Sequence, residues 1–238
     1  MTPQNIKSQL KKLANEFNLK WDIKWFGYLW ISKREEILKE YAGACPDPIY
    51  EKYGRTAVKR IKDISNFVNS TDFKECVKRY GGQVASKSGL DINNKNYKSI
   101  KDQQLRKELL GLNLKIKRGL RKNKYLALIT SSKIKKEVES LKTHILRHEW
   151  IHILINENNI SFRKFGKNYW KYNEGLVTYF ENYLDRTLQK LEIKLDEENY
   201  PMQRDYFLYG LKFREQLKDC KTSPQRKNKI LEIYKKLK

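Results

Sequence analysis

Six residues between positions 134 and 152 recur at alternating intervals of four and three, the spacing that places side chains on one face of an α-helix. They are Ile134, Val138, Leu141, Ile145, His148 and His152. The stripe is apolar for four positions and then continues as two histidines, on the side where a helix packs against its neighbours. One interpretation is an amphipathic helix that happens to carry polar residues. Imidazoles at core-facing positions need a partner, however, and a shared metal ion is an economical one.

The spacing of His148 and His152 is that of two ligands to one metal ion. Imidazoles four residues apart lie one above the other on a helix, so both can reach an ion at about 2.0–2.1 Å. Glu149 follows the first histidine and can act on a water molecule at the ion. His144 is excluded as a third ligand because it lies eight residues before His152, about 12 Å along a helix.

A third ligand must come from elsewhere in the chain, since no histidine follows His152. The candidate is Glu174, about twenty residues downstream. Apolar and aromatic residues after Glu174 recur at helical spacing, at Leu176, Tyr179, Phe180, Tyr183 and Leu184. The sequence therefore predicts that Glu174 opens a second helix, which packs across the first.

The His-Glu-x-x-His pattern, together with Asn-Glu-Gly and Thr-Tyr-Phe-Glu around Glu174, resembles the gluzincin metallopeptidases. The similarity covers roughly residues 113–215 and is closest to the aminopeptidase and leukotriene-hydrolase branch and the minigluzincins. It implies one zinc ion held by His148, His152 and Glu174, with Glu149 as general base. The Gly-x-Met-Glu-Asn segment, which in that branch captures a free amino terminus, has no counterpart here. We therefore expect an endopeptidase or processing enzyme rather than an aminopeptidase.

The same resemblance suggests Tyr200 as the residue that stabilises the oxyanion, with Tyr209 matching a second aromatic position. Both tyrosines could equally be packing residues of a helix that begins near Pro201. Thr178 and Glu181 are candidates to accept the second N–H group of a ligating histidine, although Glu181 could also be a solvated charge. Gly175 predicts a close approach of another helix beside the metal, although glycine is also tolerated near the start of a helix.

The fold class predicted from these patterns is α+β and predominantly helical, with a small antiparallel sheet, and the resemblance implies a zincin-like core. Leu112, Leu114 and Ile116 alternate, a basic turn follows, and Tyr125–Thr130 is an apolar run, which together predict a β-hairpin. Its edge would bind substrate backbone, as in gluzincins, or would only cover the core. Residues 101–138 open the predicted catalytic region 101–238, and residues 1–100 form a mostly helical cap or lid. The predicted elements of residues 1–100 are helices at 3–17, 33–43, 49–69 and 71–80, a strand at 21–31 and a loop at 86–96.

The net charge of +23 has two explanations. It could be an electrostatic footprint for nucleic acid or another acidic partner, or it could follow from a composition rich in Lys, Asn, Ile and Tyr. Local excesses exist, with twelve basic and three acidic residues in 101–138. A nucleic-acid-associated protein with a zinc site, or a protease acting on nucleic-acid-bound partners, is therefore the alternative function. A third possibility is a metal-binding scaffold without catalysis. The presence of Glu149 argues against it, because a structural metal site has no need of a general base.

The cysteine content and the lengths of the apolar runs predict the cellular compartment of the protein and its partners. The three cysteines are widely separated and odd in number, which favours a reducing, cytoplasmic compartment. The amino-terminal stretch has the pattern of an amphipathic helix rather than a signal peptide, and no apolar run reaches 18 residues. We expect a peptide or protein substrate and no membrane partner.

Overall fold

The computed structural model describes residues 1–32, 35, 82–86, 103–131, 137–160, 169–197 and 201–236. These residues form a predominantly helical structure with one small sheet, as predicted. The helices are α1 (Pro3–Glu16), α2 (Gln103–Lys122), α3 (Glu137–Glu157), α4 (Tyr169–Leu184), α5 (Leu191–Glu197), α6 (Pro201–Leu217) and α7 (Ser223–Lys235). The strands are β1 (Phe26–Ser32), β2 (Gly82–Ser86) and β3 (Tyr125–Ser131).

The chain divides into two compact units, one of which contains the sheet. This unit spans Lys24–Leu146, and the other combines Met1–Ile23 with Arg147–Lys238. These bounds differ from the predicted division at residue 100. Because most of residues 33–102 lie outside the described part of the chain, the predicted cap or lid stays a prediction, as do its helices at 33–43, 49–69 and 71–80.

The sheet is mixed, with β3 at its centre. β1 runs parallel to β3, from the pair Phe26 and Tyr125 to the pair Ser32 and Ser131. β2 runs antiparallel to β3 on its other side. The predicted strand at 125–130 is confirmed, and the strand predicted at 21–31 is confirmed from Phe26 onward.

The predicted antiparallel hairpin is wrong, because its first strand is the middle of helix α2. Leu112, Ile116 and Leu120 recur every four residues, are each 2% exposed or less, and pack on the sheet. Leu114, the middle member of the apparent alternation, is 55% exposed. Residues 112–116 fit both periods, and burial of the i, i+4, i+8 stripe against β1 and β3 decides for the helix.

In the other unit, α1 packs against α4 through Phe17, the residue at its carboxyl end. The ring of Phe17 meets Phe180 edge to face at 4.8 Å and Tyr183 at 5.1 Å. α1 begins at Pro3 after the cap Thr2, whose hydroxyl accepts a hydrogen bond from the Asn5 amide. Proline at the first helical position and a threonine cap are favourable helix starts.

The helices predicted at 3–17 and near Pro201 are confirmed by α1 and α6. α7 opens with a reciprocal capping box between Thr222 and Gln225. Within the described residues, none of the helices combines the length and apolar character needed to cross a membrane.

Candidate metal centre

Helix α3 presents both histidines of the predicted pair on a face that is partly open to solvent. The side chains of His148 and His152 are 23% and 21% exposed. Their neighbours in sequence, Trp150, Ile151 and Ile153, are fully buried and hold the helix in the core. The helix thus fixes the backbone of both histidines and leaves one side of the two rings accessible.

The carboxyl end of α3 is held in place by Asn158, the residue that follows the helix. The Asn158 amide donates to the carbonyls of Leu154 and Lys20, and the Asn158 side-chain oxygen accepts from the Lys20 amide at 2.7 Å. Asn159 then adopts a positive φ of 55°, which asparagine tolerates well and which ends a helix.

Helix α4 brings Glu174 to the two imidazoles, as predicted. Its two carboxylate oxygens lie 3.2 Å from Nε2 of His148 and 3.3 Å from Nε2 of His152. The two Nε2 atoms are themselves 3.2 Å apart. α4 begins at Tyr169, so Glu174 lies in its second turn rather than opening the helix. We call His148, His152 and Glu174 the histidine–glutamate cluster.

The spacing within the histidine–glutamate cluster fits a single small cation. Donor atoms at about 2.0–2.1 Å from a tetrahedral ion lie roughly 3.3–3.4 Å apart, because a tetrahedron's edge is about 1.6 times its centre-to-corner distance. The two Nε2 atoms, which are 3.2 Å apart, match that edge, and each of them lies 3.2–3.3 Å from a different oxygen of the Glu174 carboxylate. The three residues therefore form a group that could hold a metal ion.

The charges around the cluster also favour a cation. Burial opposes a charged His148, but the carboxylates of Glu181 and Glu174 outweigh it and raise the pKa of His148 well above its ordinary value. Burial likewise opposes a charged Glu174, yet His152 and His148 hold the pKa of Glu174 well below its usual range. Both shifts express the attraction between charged imidazole and carboxylate groups, and a metal ion could take the place of the proton between them.

Glu149 shares this site without belonging to the ligand set. Its half-buried carboxyl interacts electrostatically with both imidazoles and with the carboxylates of Glu174 and Glu181. Burial raises the pKa of Glu149 despite the opposing effect of His152 and His148. A carboxyl group with a raised pKa is suited to accept and then release a proton near neutral pH.

Glu181 supports the cluster from one side. It is 6% exposed, lies two turns after Glu174 on α4, and places Oε1 3.4 Å from Nδ1 of His148. Contact through Nδ1 orients the ring and leaves Nε2 directed at Glu174 and His152. Of the two candidates for this role, Thr178 lies instead against α6, near Gly210.

Helices α4 and α6 approach closely at two glycines, and this contact fixes Glu174. A Cβ atom on Gly175 would overlap the Tyr209 side chain and would lie 2.8 Å from the Tyr209 backbone carbon. The predicted close approach at Gly175 is confirmed. Its counterpart Gly210 was not predicted, although a glycine inside a helix costs about 1 kcal/mol relative to alanine and commonly marks a packing contact.

Two polar contacts connect the ligand helices to their surroundings. The guanidinium of Arg147, which is 3% exposed, donates two hydrogen bonds of 2.7 Å to the carboxylate of Asp185, joining α3 to the end of α4. The buried phenol of Tyr234 on α7 donates to the Asn173 side chain at 3.2 Å. Asn173 thereby ties α4 to α7 beside Glu174.

The other predicted site residues have different outcomes. Tyr200 lies outside the described residues, so its role stays a prediction. Tyr209 packs edge to face on Tyr172 at 4.5 Å, a packing role. His144 is exposed and is not among the residues that could hold the ion.

Comparisons with protein-family models, with curated proteins and with solved structures gave no match.

Proposed function

We propose that this protein is a zinc-dependent peptidase with a zincin-like core of the gluzincin type. The observation that carries the proposal is the convergence of two imidazole nitrogens and one carboxylate, from two helices, at separations of 3.2–3.3 Å. Two histidines and one glutamate are a ligand set typical of catalytic zinc, which keeps one position for water or substrate. A structural zinc site commonly uses four protein ligands instead.

In this proposal His148, His152 and Glu174 hold the ion, and Glu181 orients His148. A zinc ion in such a site polarises a carbonyl group and lowers the pKa of a coordinated water to about 7. Glu181 contributes indirectly, since a fixed ring orientation keeps Nε2 of His148 pointed at the common centre.

Glu149 is the proposed general base and acid. Its carboxylate takes a proton from the attacking water as the new C–O bond forms at the substrate carbonyl. It then gives that proton to the amide nitrogen as the C–N bond breaks, which regenerates the carboxylate. The raised pKa of Glu149 supports this role, because the protonated intermediate form must be accessible near neutral pH.

The proposed substrate is an internal peptide bond of a peptide or protein in a reducing, cytoplasmic compartment. The chain lacks the Gly-x-Met-Glu-Asn segment that binds a free amino terminus in the similar aminopeptidases. Without such a segment, a blocked peptide should be as good a substrate as a free one.

The test compares the zinc-loaded full chain with its Glu149→Gln variant on a pool of peptides with free and acetylated amino termini, using mass spectrometry. We expect internal cleavage by the wild type and a loss of about 10²- to 10⁴-fold in Glu149→Gln, with zinc content unchanged. His144→Ala is the matched control and should cleave normally, because His144 is exposed and outside the ligand group. Equal cleavage by zinc-loaded Glu149→Gln and wild type would overturn the proposal.

A further inference from the structure

Helix α2 exposes a row of cations on the side that faces away from the sheet. Its buried stripe of Leu112, Ile116 and Leu120 packs on β1 and β3. On the opposite half of the helix, six basic residues are exposed, which we call the basic face: Arg106, Lys107, Lys117, Arg118, Arg121 and Lys122. At 3.6 residues per turn they cover an arc of roughly 160° around the helix axis.

The basic face is not neutralised within the described part of the chain. Lys115 on the same helix pairs with Glu35 at 2.7 Å, but the six cations of the basic face form no ion pair with a described residue. Gln103–Lys122 contains one acidic residue, Glu108.

On two other helices of the chain, exposed basic residues are paired with glutamates. On α7, Glu232 pairs with Lys229 at 3.1 Å and with Lys236 at 2.8 Å. On α6, Glu215 pairs with Arg214 at 2.9 Å and with Lys218 at 3.3 Å. Alternating charge of this kind is the usual form of a solvated helix surface.

The basic residues of α2 do not, as a group, stabilise the helix. Arg121 and Lys122 lie in the last turn, where positive charge interacts favourably with the helix dipole. The others gain nothing from the dipole, and like charges four residues apart, such as Lys117 with Arg121, destabilise a helix by about 0.2–0.5 kcal/mol per pair. An external anion would remove this repulsion.

We propose that the basic face is a nucleic-acid-binding surface that contacts the phosphate backbone. A row of exposed lysines and arginines along one helix is the electrostatic footprint of such a protein. A lipid surface fits less well, because an interfacial helix inserts its apolar stripe into the bilayer. In α2 that stripe is buried against the sheet, and two leucines, Leu110 and Leu114, are exposed among the side chains that the structure describes.

The test measures binding of the full chain to a fluorescein-labelled mixed-sequence DNA duplex by anisotropy, from about 50 to about 200 mM salt. Each phosphate contact contributes about one to the slope of log affinity against log salt. Arg118→Gln/Arg121→Gln should therefore lower the magnitude of the slope by about two and weaken binding at every salt concentration. Lys117→Gln/Lys122→Gln should behave the same way.

The matched control is Lys229→Gln/Lys236→Gln, which removes the same net charge from lysines that are already paired with Glu232. It should leave the slope close to that of the wild type. Equal weakening by the control would mean a general effect of net charge and would overturn the assignment. Absence of duplex binding, or competition by phosphatidylserine vesicles but not by unlabelled duplex, would also overturn it.

The inference does not depend on the proposed peptidase activity. Glu149→Gln should bind the duplex as the wild type does, whether or not the wild type cleaves peptides. The two proposals can therefore fail separately.

Discussion

The histidine–glutamate cluster and the basic face both concentrate charge, but only the cluster balances it within the chain. In the cluster, imidazole and carboxylate groups lie 3.2–3.3 Å apart and shift the pKa values of His148 and Glu174 in opposite directions. On the basic face, six exposed cations have no acidic partner among the described residues. The first arrangement fits one small ion held by fixed donors, whereas the second fits an extended polyanion held by solvated side chains.

The largest effect is expected from removal of the metal ion, which should act on the histidine–glutamate cluster and not on the basic face. A ligand that binds only the folded state stabilises it by about 4 kcal/mol at a free concentration of a thousand times its Kd. We expect a chelator to lower the denaturation midpoint of the wild type, as followed by circular dichroism in urea. His148→Ala should lose this response, and a chelator effect that persists in that variant would place the ion elsewhere.

Crowding the crossing of α4 and α6 should disturb the cluster from a distance. Gly175→Ala places a methyl group against the Tyr209 backbone, and overpacking of this kind costs about 1–3 kcal/mol. Zinc affinity should fall as well, because Glu174 is the residue directly before Gly175 and would move with the displaced helix backbone. Urea denaturation and a competitive zinc titration measure the two effects.

Gly111→Ala on α2 is the control for Gly175→Ala. No atom lies within 4 Å of a Cβ atom at Gly111, so alanine should stabilise α2 by about 0.5–1 kcal/mol. If both glycine variants changed stability alike, close packing at Gly175 could not be the cause.

Loss of the contact between Glu181 and His148 should weaken metal binding while preserving the ligands. Removing a partner of this kind typically costs about 10- to 100-fold in metal affinity, and we expect this range for Glu181→Gln by competitive titration with a chromophoric chelator. Glu215→Gln, at an exposed glutamate of α6, should leave the affinity unchanged. Equal zinc affinity in Glu181→Gln and wild type would remove Glu181 from the site.

The smallest effect is expected on the basic face. There a single substitution should raise the stability of the helix and lower the affinity for the duplex. Lys117→Glu replaces a like-charge neighbour of Arg121 with an opposite charge at i, i+4, which stabilises a helix by about 0.2–0.5 kcal/mol. The same change should weaken duplex binding. A loss of both stability and binding would show that Lys117 serves the fold instead.

Local periodicity in the sequence was sufficient to predict the site helices. The stripe ending in His148 and His152 defined one face of α3, and Glu174 was the carboxylate that a second helix could bring near them. Both helices are confirmed, although on α3 the fully buried residues include Leu146, Trp150 and Ile153, and the two histidines lie on a face that is partly open to solvent.

Residues 112–116 were misassigned because a five-residue window fits both a strand and a helix. Leu120 extends the helical spacing, and burial against β1 and β3 settles the choice. The parallel pairing of Phe26–Ser32 with Tyr125–Ser131 joins segments about a hundred residues apart, and no local signal specifies such a register. Gly210 and Tyr234 were missed for the same reason, since their roles exist only through contacts with α4.

The most direct test of the central claim is X-ray absorption at the zinc edge of the full chain loaded with one equivalent of zinc. Convergence of His148, His152 and Glu174 predicts two imidazole ligands and oxygen donors at about 2.0–2.1 Å, with imidazole scattering retained but zinc affinity reduced in Glu174→Ala. Sulfur scattering at about 2.3 Å, or a spectrum and affinity unchanged by Glu174→Ala, would contradict the claim.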